Sequence, residues 1–416
     1  MNMINFSEPE EIKEVLASLD RFIELEIKPL EKKFVKELED ERYLYDKNGY
    51  FTKEIQEALK EVRMKSADAG FYTMFGMPEL GGNGDQFGPV AVALIYESIT
   101  KKYGENLFVD EIFPVGLFTG GLTPVLLGLQ DELKEKMLPE LASGESLLCF
   151  GLSEPEAGSD VWGMKTKAIK DGDHWVINGT KQWITNSPYA DYAMIFAITD
   201  PELVAKRKGG ISTFLVPFDG ETCVNSSVIP YLGSMGSRIG TISLDNARVH
   251  ESYIIGELHD GFGAALHGVD IGRVVMAAQC VGTAQWALDI ALDYAKQRKT
   301  FGVTIENHQA IQMQLAECAM DIYAGRNMLL HCAWKMENQE KLPLKEISMI
   351  KAFTTEMGFR VVDRCMQICG GMGLTNEMKL EKAWRHMRAT RVPDGTAEIQ
   401  RRTIARRLLK GDKSFN

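Results

Sequence analysis

Apolar residues fall into three textures along the chain, and their spacing predicts helices, then strands, then helices again. Near the start Ile12, Val15, Leu16, Leu19, Phe22 and Ile23 recur every three to four residues, the period of one helix face. Ser7 is a candidate cap for this helix, Pro9, Glu10 and Glu11 fill its first turn, and Pro29 interrupts it. After the loop Pro78-Glu79-Leu80-Gly81-Gly82-Asn83-Gly84, a second helix is predicted from Val90 to Lys101. A third runs from Leu122 to Ala142, with Leu126, Leu127, Leu133, Met137 and Leu138 on one side.

From about Cys149 the pattern changes to short β-prone runs between turn residues. Lys170-Asp171-Gly172-Asp173 and Asn178-Gly179 flank His174-Trp175-Val176-Ile177, and Asn-Gly is a hairpin signal. Tyr192 to Ile198, Ile211 to Pro217, Ser227 to Tyr231 and Thr241 to Val249 are further predicted strands, ending near Leu258. Helical periods resume over roughly 262–299, 305–338, 343–369 and 396–410, with Gly302 and Gly370-Gly371 read as the glycines that end two of them. The expected fold is therefore multidomain α+β: an N-terminal helical domain (1–148), a central β domain (149–258), barrel or sandwich, and a C-terminal four-helix bundle (259–416). The order does not support a doubly wound βαβ sheet, and no repeat is visible at periods of 20 to 50 residues.

Composition narrows the function classes. With 416 residues, 45% hydrophobic and 25% charged, the chain is ordinary for a folded globular protein. The 58 acidic and 47 basic side chains leave a net charge of −11, which argues against general binding to nucleic acid or anionic membranes. No run of about 18 uninterrupted apolar residues is present and Met1 to Glu11 lacks a signal-peptide layout, so a cytoplasmic protein without a membrane span is expected. The seven cysteines, odd in number and without CxxC pairs, read as buried reduced thiols. The seven histidines show no metal-ligand spacing, and no metal is expected. The Gly-rich stretches do not fit a Rossmann fingerprint, and the P-loop, GxSxG and HExxH patterns are absent, so the hard chemistry of an enzyme with this sequence would belong to a bound cofactor. The cluster Arg385, Arg388, Arg391, Arg401, Arg402, Arg406 and Arg407 lacks interleaved stacking aromatics and reads as solvated faces with subunit or cofactor contacts.

The segment Gly151-Leu152-Ser153-Glu154-Pro155-Glu156-Ala157-Gly158-Ser159-Asp160 is by itself either a tight loop or a ligand loop whose small residues admit a close approach. It resembles the (T/S)-E-P-x-A-G-S-D signature of the acyl-CoA dehydrogenase family. The likeness continues in order through Lys181-Gln182-Trp183-Ile184-Thr185-Asn186, Arg298-Lys299-Thr300-Phe301-Gly302, Gln367-Ile368-Cys369-Gly370-Gly371-Met372-Gly373 and Asp394-Gly395-Thr396-Ala397-Glu398-Ile399-Gln400-Arg401. It spans essentially the whole chain.

The resemblance implies FAD between the β domain and the C-terminal bundle, lined by Phe150, Leu152, Ser153, Gly158 and Ser159, with Trp183 over one flavin face and Thr185 near N5. It assigns Arg298, Thr300, Phe301, Gln309, Gln367, Gly370 and Gly371 to the FAD diphosphate of a neighbouring subunit, and Thr396 and Glu398 to the cofactor as well. A homo-oligomer, a tetramer in the family's pattern, is the consequence. Ser159, Asp270, Arg273 and Gly395 are implied on the acyl-CoA side; read without the resemblance, Asp270 and Arg273 are a helix-surface ion pair three residues apart. The electrons would pass to an electron-transfer flavoprotein or similar carrier.

One departure stands out. Where most of the family has a Glu that removes the α-proton, this chain has Val392-Pro393-Asp394-Gly395-Thr396. Asp394 keeps the carboxylate on an arm shorter by one methylene, about 1.5 Å, and a base must reach its proton. The alternative base position found in some branches of the family corresponds to Gly272, which cannot serve. Between Tyr103 and Pro124 the run Leu107-Phe108-Val109-Asp110-Glu111-Ile112-Phe113-Pro114 makes Asp110 a candidate second base or cavity wall, with a solvated helix end as its plain reading. The short base and Pro393 beside it point to a branched or alicyclic acyl group. A nitroalkane-oxidase-like flavin oxidase, using Asp and oxygen, is the alternative, and an inactive flavoprotein acting as a binding module is a third reading.

Overall fold

A computed structural model of the chain describes residues 9–116 and 120–414, without the side chains of 264–267. Ser7, the predicted cap, and the ring of His267 lie outside the described residues. By contacts the chain divides into two compact units, one formed by residues 22–86 and 107–269, the other by the segments up to 21, 87–106 and 270–416.

The first helix, α1 (Glu10–Phe22), runs into a π-helical turn (Ile23–Ile27) and then a short helix (Lys28–Lys33) with Pro29 in its first turn. Proline lacks an N–H and its ring crowds the carbonyl four residues back, so widening the helix by one residue lets the chain continue where a break was expected. Helix α2 (Lys53–Asp68) belongs to the first unit and α3 (Pro89–Tyr103) to the second. The predicted helix from Leu122 to Ala142 is two pieces, a 3₁₀ stretch (Pro124–Gly128) and α4 (Asp131–Ala142). The chain breaks at Gly128 because its carbonyl accepts the Gly256 N–H at 2.9 Å, and a Cβ there would lie 2.4 Å from that nitrogen.

The first unit holds an eight-stranded sheet: β1 (Leu148–Gly151), β2 (Lys167–Asp171), β3 (His174–Thr185), β4 (Tyr192–Ile198), β5 (Ile211–Pro217), β6 (Cys223–Val228), β7 (Ile239–His250) and β8 (Ile254–Ile255). The ladder runs β6-β7-β3-β2-β4-β5-β8, with β1 parallel to β4. Strands β4 and β5 pair antiparallel from Tyr192↔Pro217 to Ile198↔Ile211, over the spans predicted for them. The β2–β3 hairpin turns at Gly172-Asp173, as expected, with Asp171 opposite His174. Asn178-Gly179 is not a turn: β3 runs through it, and Gly179 is required because a Cβ would sit 2.3 Å from Thr166 Oγ1. The predicted strand at Ser227 to Tyr231 lies earlier, at β6, because the Asp219 carboxylate accepts the N–H groups of Glu221, Thr222 and Cys223 and closes the turn there.

Cys149, Ala168, Trp175, Ile177, Ile195, Phe214, Cys223, Ile242 and Val249 share one buried cluster. Strands from both ends of the ladder contribute, so the sheet curls around its core like a barrel. The other face of β4 and β5, with Met194 and Leu215, packs against Val125, Leu126, Leu133, Met137 and Leu141, which alternation across a strand allows.

The second unit is built from α3, the body of α5 (Gly261–Gln297), α6 (Gln309–Asn338), α7 (Leu344–Cys369), α8 (Leu380–Thr390) and α9 (Ala397–Leu409). Helix α8 was not among the four predicted. By length and composition α5 would pass for a membrane span, yet 61% of its most apolar 18-residue window is buried in the fold, as in a core helix. Gly302 is not a helix end: α5 stops at Gln297, and Phe301 (φ 50°) with Gly302 (φ 86°) forms the two-residue turn between β9 (Lys299–Thr300) and β10 (Val303–Thr304). Gly370, with φ 59°, does follow the end of α7 as expected. All seven cysteines are free and buried.

Candidate active site

In the sheet-bearing unit the loop after β1 is held by one buried carboxylate. Glu154 accepts the N–H groups of Lys165 (2.5 Å) and Thr166 (3.0 Å) and pairs with Lys181 of β3 at 2.8 Å. Lys181 also donates to the Leu152 carbonyl at 3.2 Å, and Gln182 N–H to the Ser153 carbonyl at 2.9 Å, tying the loop to the strand. Burial alone would raise the Glu154 carboxyl, but the Lys181 ammonium and the N–H donors leave it below its ordinary value. Burial lowers Lys181 to about 8 despite its partner.

This strut leaves the tip of the loop free: Gly158 and Ser159 are exposed, while Phe150, Leu152 and Ser153 are half-buried. Between Lys181 and Ile184 the β3–β7 register shifts, and Trp183 takes the left-handed conformation (φ 66°) with its side chain 54% exposed. A β-branched or bulky residue pays strain in that region, and a strand-core tryptophan would be buried. An indole held outward beside Ser153, with Thr185 two residues on, fits a flat aromatic ligand such as the isoalloxazine of FAD.

In the helical unit the loop between α8 and α9 carries Asp394 in the left-handed region (φ 55°), followed by Gly395 (φ 87°). Its conformation is fixed by two side chains. Arg273 of α5 donates to the Asp394 carbonyl from Nε (3.2 Å) and Nη2 (3.1 Å), and Gln400 of α9 donates to the same oxygen at 2.9 Å and to the Gly395 carbonyl at 3.2 Å. The third nitrogen of Arg273 pairs with Asp270 at 2.9 Å. Asp270 and Arg273 are thus a largely buried strut behind Asp394, which replaces the reading of a surface ion pair. The Asp394 carboxyl is pushed above its ordinary value by burial, against the pull of Arg273 and Lys351. Thr396 spends its hydroxyl on capping α9, accepting the Ile399 N–H at 3.3 Å, and Glu398 is exposed in the first turn.

The remaining residues are on the surface of the same unit. Arg298, Phe301, Gln309, Gln367, Gly370 and Gly371 are all exposed, Phe301 by 98%, and a Cβ at Gly370 or Gly371 would meet nothing within 4 Å. Thr300 Oγ1 shares a hydrogen bond with His308 Nε2 at 2.9 Å.

Asp110 sits where its plain reading put it. It is exposed on the 3₁₀ turn Val109–Glu111, and the carboxylate buried among Phe108, Val109, Ile112 and Phe113 is its neighbour Glu111, 1% exposed and paired with Arg63 (2.8 Å) and Arg238 (2.5 Å). Its two guanidinium partners come from α2 and from the chain just before β7, so Glu111 ties those segments together. Sequence reasoning also passed over Gln400 and Lys351. Both lie on inward stripes of amphipathic helices, Lys351 between buried Ile347, Ile350, Thr354 and Thr355, and a polar residue in such a stripe is the signal that was available.

Comparison with known proteins gives this geometry its class. The family descriptions "Acyl-CoA dehydrogenase, middle domain" and "Acyl-CoA dehydrogenase, C-terminal domain" match residues 149–247 and 259–409. The chain is 38% identical over 352 residues, 84% of its length and 90% of the relative's, to the 3-(aryl)acrylate reductase of Clostridium sporogenes. It is 33% identical over 381 residues, 91% of its length and 95% of the relative's, to the caffeyl-CoA reductase-Etf complex subunit CarC of Acetobacterium woodii. Butyryl-CoA dehydrogenase from Megasphaera elsdenii superposes with a TM-score of 0.79 at 27% identity, covering 97% of this chain and all of that one. Such matches mark a flavoprotein oxidoreductase that acts on acyl-CoA. The chain belongs to the acyl-CoA dehydrogenase family.

Proposed function

We propose that the protein interconverts a saturated acyl-CoA and its 2,3-enoyl-CoA with Asp394 as the base, and that FAD, held by Phe150, Leu152, Ser153, Gly158, Ser159, Trp183 and Thr185, supplies the two-electron acceptor. The observation that carries this reading is Asp394 itself: a carboxylate whose proton affinity is raised by burial, on a loop locked through its own carbonyl by Arg273 and Gln400. In the oxidative direction Asp394 takes the α-proton of the thioester, and its backbone N–H polarises the thioester carbonyl, which acidifies that C–H. In the reductive direction the protonated carboxyl returns the proton to the α-carbon, and the reduced cofactor would supply the two electrons with the hydrogen at the β-carbon. The naming of one relative as a 3-(aryl)acrylate reductase makes reduction the second direction to test.

The one-methylene shorter base and the cavity reshaped by Pro393 beside it favour a branched or alicyclic acyl group over a straight chain. The electron carrier is an electron-transfer flavoprotein, as the name of the second relative indicates for that protein. The exposed Arg298, Phe301, Gln309, Gln367 and Gly370-Gly371 contact the FAD of a neighbouring copy in a homo-oligomer; guanidinium suits a phosphate because it donates in a planar fork. Anaerobic titration of the flavin-loaded enzyme with straight, branched, alicyclic and aryl-substituted acyl-CoA esters should bleach the flavin with one shape class. Absence of bleaching by every thioester, with nitroalkane-dependent peroxide formation instead, would overturn the reading in favour of a flavin oxidase.

A further inference from the structure

Lys351 lies on α7 at a position where a charged side chain has to be explained. Its residue is 0% exposed and its Nζ has no hydrogen-bond partner among the described residues. A lone ammonium without hydrogen bonds is among the costliest groups a fold can bury, and where one persists it answers to a charge nearby. Helix α7 packs against α5, where Cys280 lies against Gly358, and against α9; the groups whose charge acts on Lys351 are Asp394 from the loop before α9, Cys280 and Arg273 from α5, and Glu398 from the first turn of α9. After burial, Asp394 has the largest influence on Lys351, and Lys351 stands with Arg273 as the two cations acting on Asp394.

Those two cations are not equivalent. Arg273 directs its donors to the Asp394 backbone carbonyl and to Asp270, so its charge is shared between groups it already bonds. The Lys351 ammonium has no such partner. We propose that Lys351 is a positioning residue for the reaction, a buried counter-charge whose field keeps the Asp394 carboxylate ionised in the working pH range. The proposal rests on the assignment of Asp394 as the base.

Burial lowers the Lys351 ammonium to about 8, so the counter-charge is present below that pH and fades above it. Once Lys351 is neutral, the field that favours the Asp394 anion is gone. The charge of a nearby cation therefore acts on the acid limb of the pH profile, where Asp394 gains its proton.

The test compares wild type, Lys351→Met and Lys351→Arg as flavin-loaded enzymes. Methionine keeps the length and apolar stem without the charge; arginine keeps the charge. The pH profile of anaerobic flavin bleaching should move its acid limb upward by about one pH unit in Lys351→Met, the effect of removing one nearby cation, and return toward wild type in Lys351→Arg. An infrared difference titration, wild type minus Asp394→Asn and each Lys351 variant minus its Asp394→Asn double, reads the Asp394 carboxyl directly without substrate. Its midpoint should rise in Lys351→Met by the same amount. A change in melting temperature with neither the kinetic limb nor the carboxyl midpoint displaced would overturn the proposal and leave Lys351 a packing residue. Normal bleaching by Asp394→Asn would instead remove Asp394 as the base, while the infrared midpoints would still decide whether Lys351 governs its ionisation.

Discussion

Asp394 is held by its backbone rather than by its side chain. In the proposed reaction its carboxylate is the base, but its carbonyl receives three N–H groups, two from Arg273 and one from Gln400, and these fix the left-handed backbone from which the short arm projects. Gln400→Leu removes a donor from the Asp394 and Gly395 carbonyls and should lower the bleaching rate about 5- to 150-fold, about 1–3 kcal/mol, with the visible flavin spectrum intact; stopped-flow reduction checks this. The loop strut makes a second prediction. Glu154 is held below its ordinary value by Lys181 and two backbone N–H groups, so the pair contributes stability above the ordinary carboxylate range, lost as pH falls through the lowered value. Lys181→Met, which leaves Glu154 buried and unpaired, should cost about 3–5 kcal/mol at neutral pH, and the gap to wild type should close on acidification. Denaturant melts at pH 7 and pH 3 would show both. At this scale the sequence pointed to Asp394, Arg273 and Trp183 through the family resemblance, but not to Gln400 or Lys351. Both lie on helix faces that converge only after folding.

Elements were legible where one signal decided them. Strands β4 and β5 are apolar runs bounded by Asp191, Asp200 and Gly210 and buried on both faces, so no periodicity competed. Asn178-Gly179 misled because a local turn signal was outweighed by a ladder that pairs β3 with β2 on one side and β7 on the other. Helix α8 starts at Lys379 in the left-handed conformation without a capping side chain, and its charged face drew attention from buried Leu380, Ala383 and Met387. Close packing between elements was not legible at all. Gly282 of α5 lies against α3, where a Cβ would come 2.6 Å from the Glu97 carbonyl. Gly282→Ala should therefore destabilise by about 1–3 kcal/mol despite alanine's better helix propensity. A lower urea midpoint with an unchanged slope would bear this out.

For the whole molecule, the order helix, sheet, helix was visible in the hydrophobic pattern, whereas the grouping of α3 with the C-terminal helices was not, because it depends on contacts far apart in sequence. The assembly is the proposal that only the intact protein can test. Arg298→Ala, at an exposed position, should leave the melting temperature of the apoprotein unchanged but weaken FAD retention on dilution about tenfold, roughly 1.4 kcal/mol; equilibrium dialysis with flavin fluorescence reads it. Retention independent of the substitution would mean that each copy holds its FAD without that residue. The proposed reaction turns on proton removal by one carboxylate. Its most direct test is rapid-mixing flavin bleaching by the best acyl-CoA ester, protonated or deuterated at the α-carbon, in wild type and Asp394→Asn. Wild type should show an α-deuterium isotope effect and the variant a loss of rate of at least about 10²-fold, with thioester binding retained. A variant that bleaches at a rate near wild type, with the same isotope effect, would contradict it.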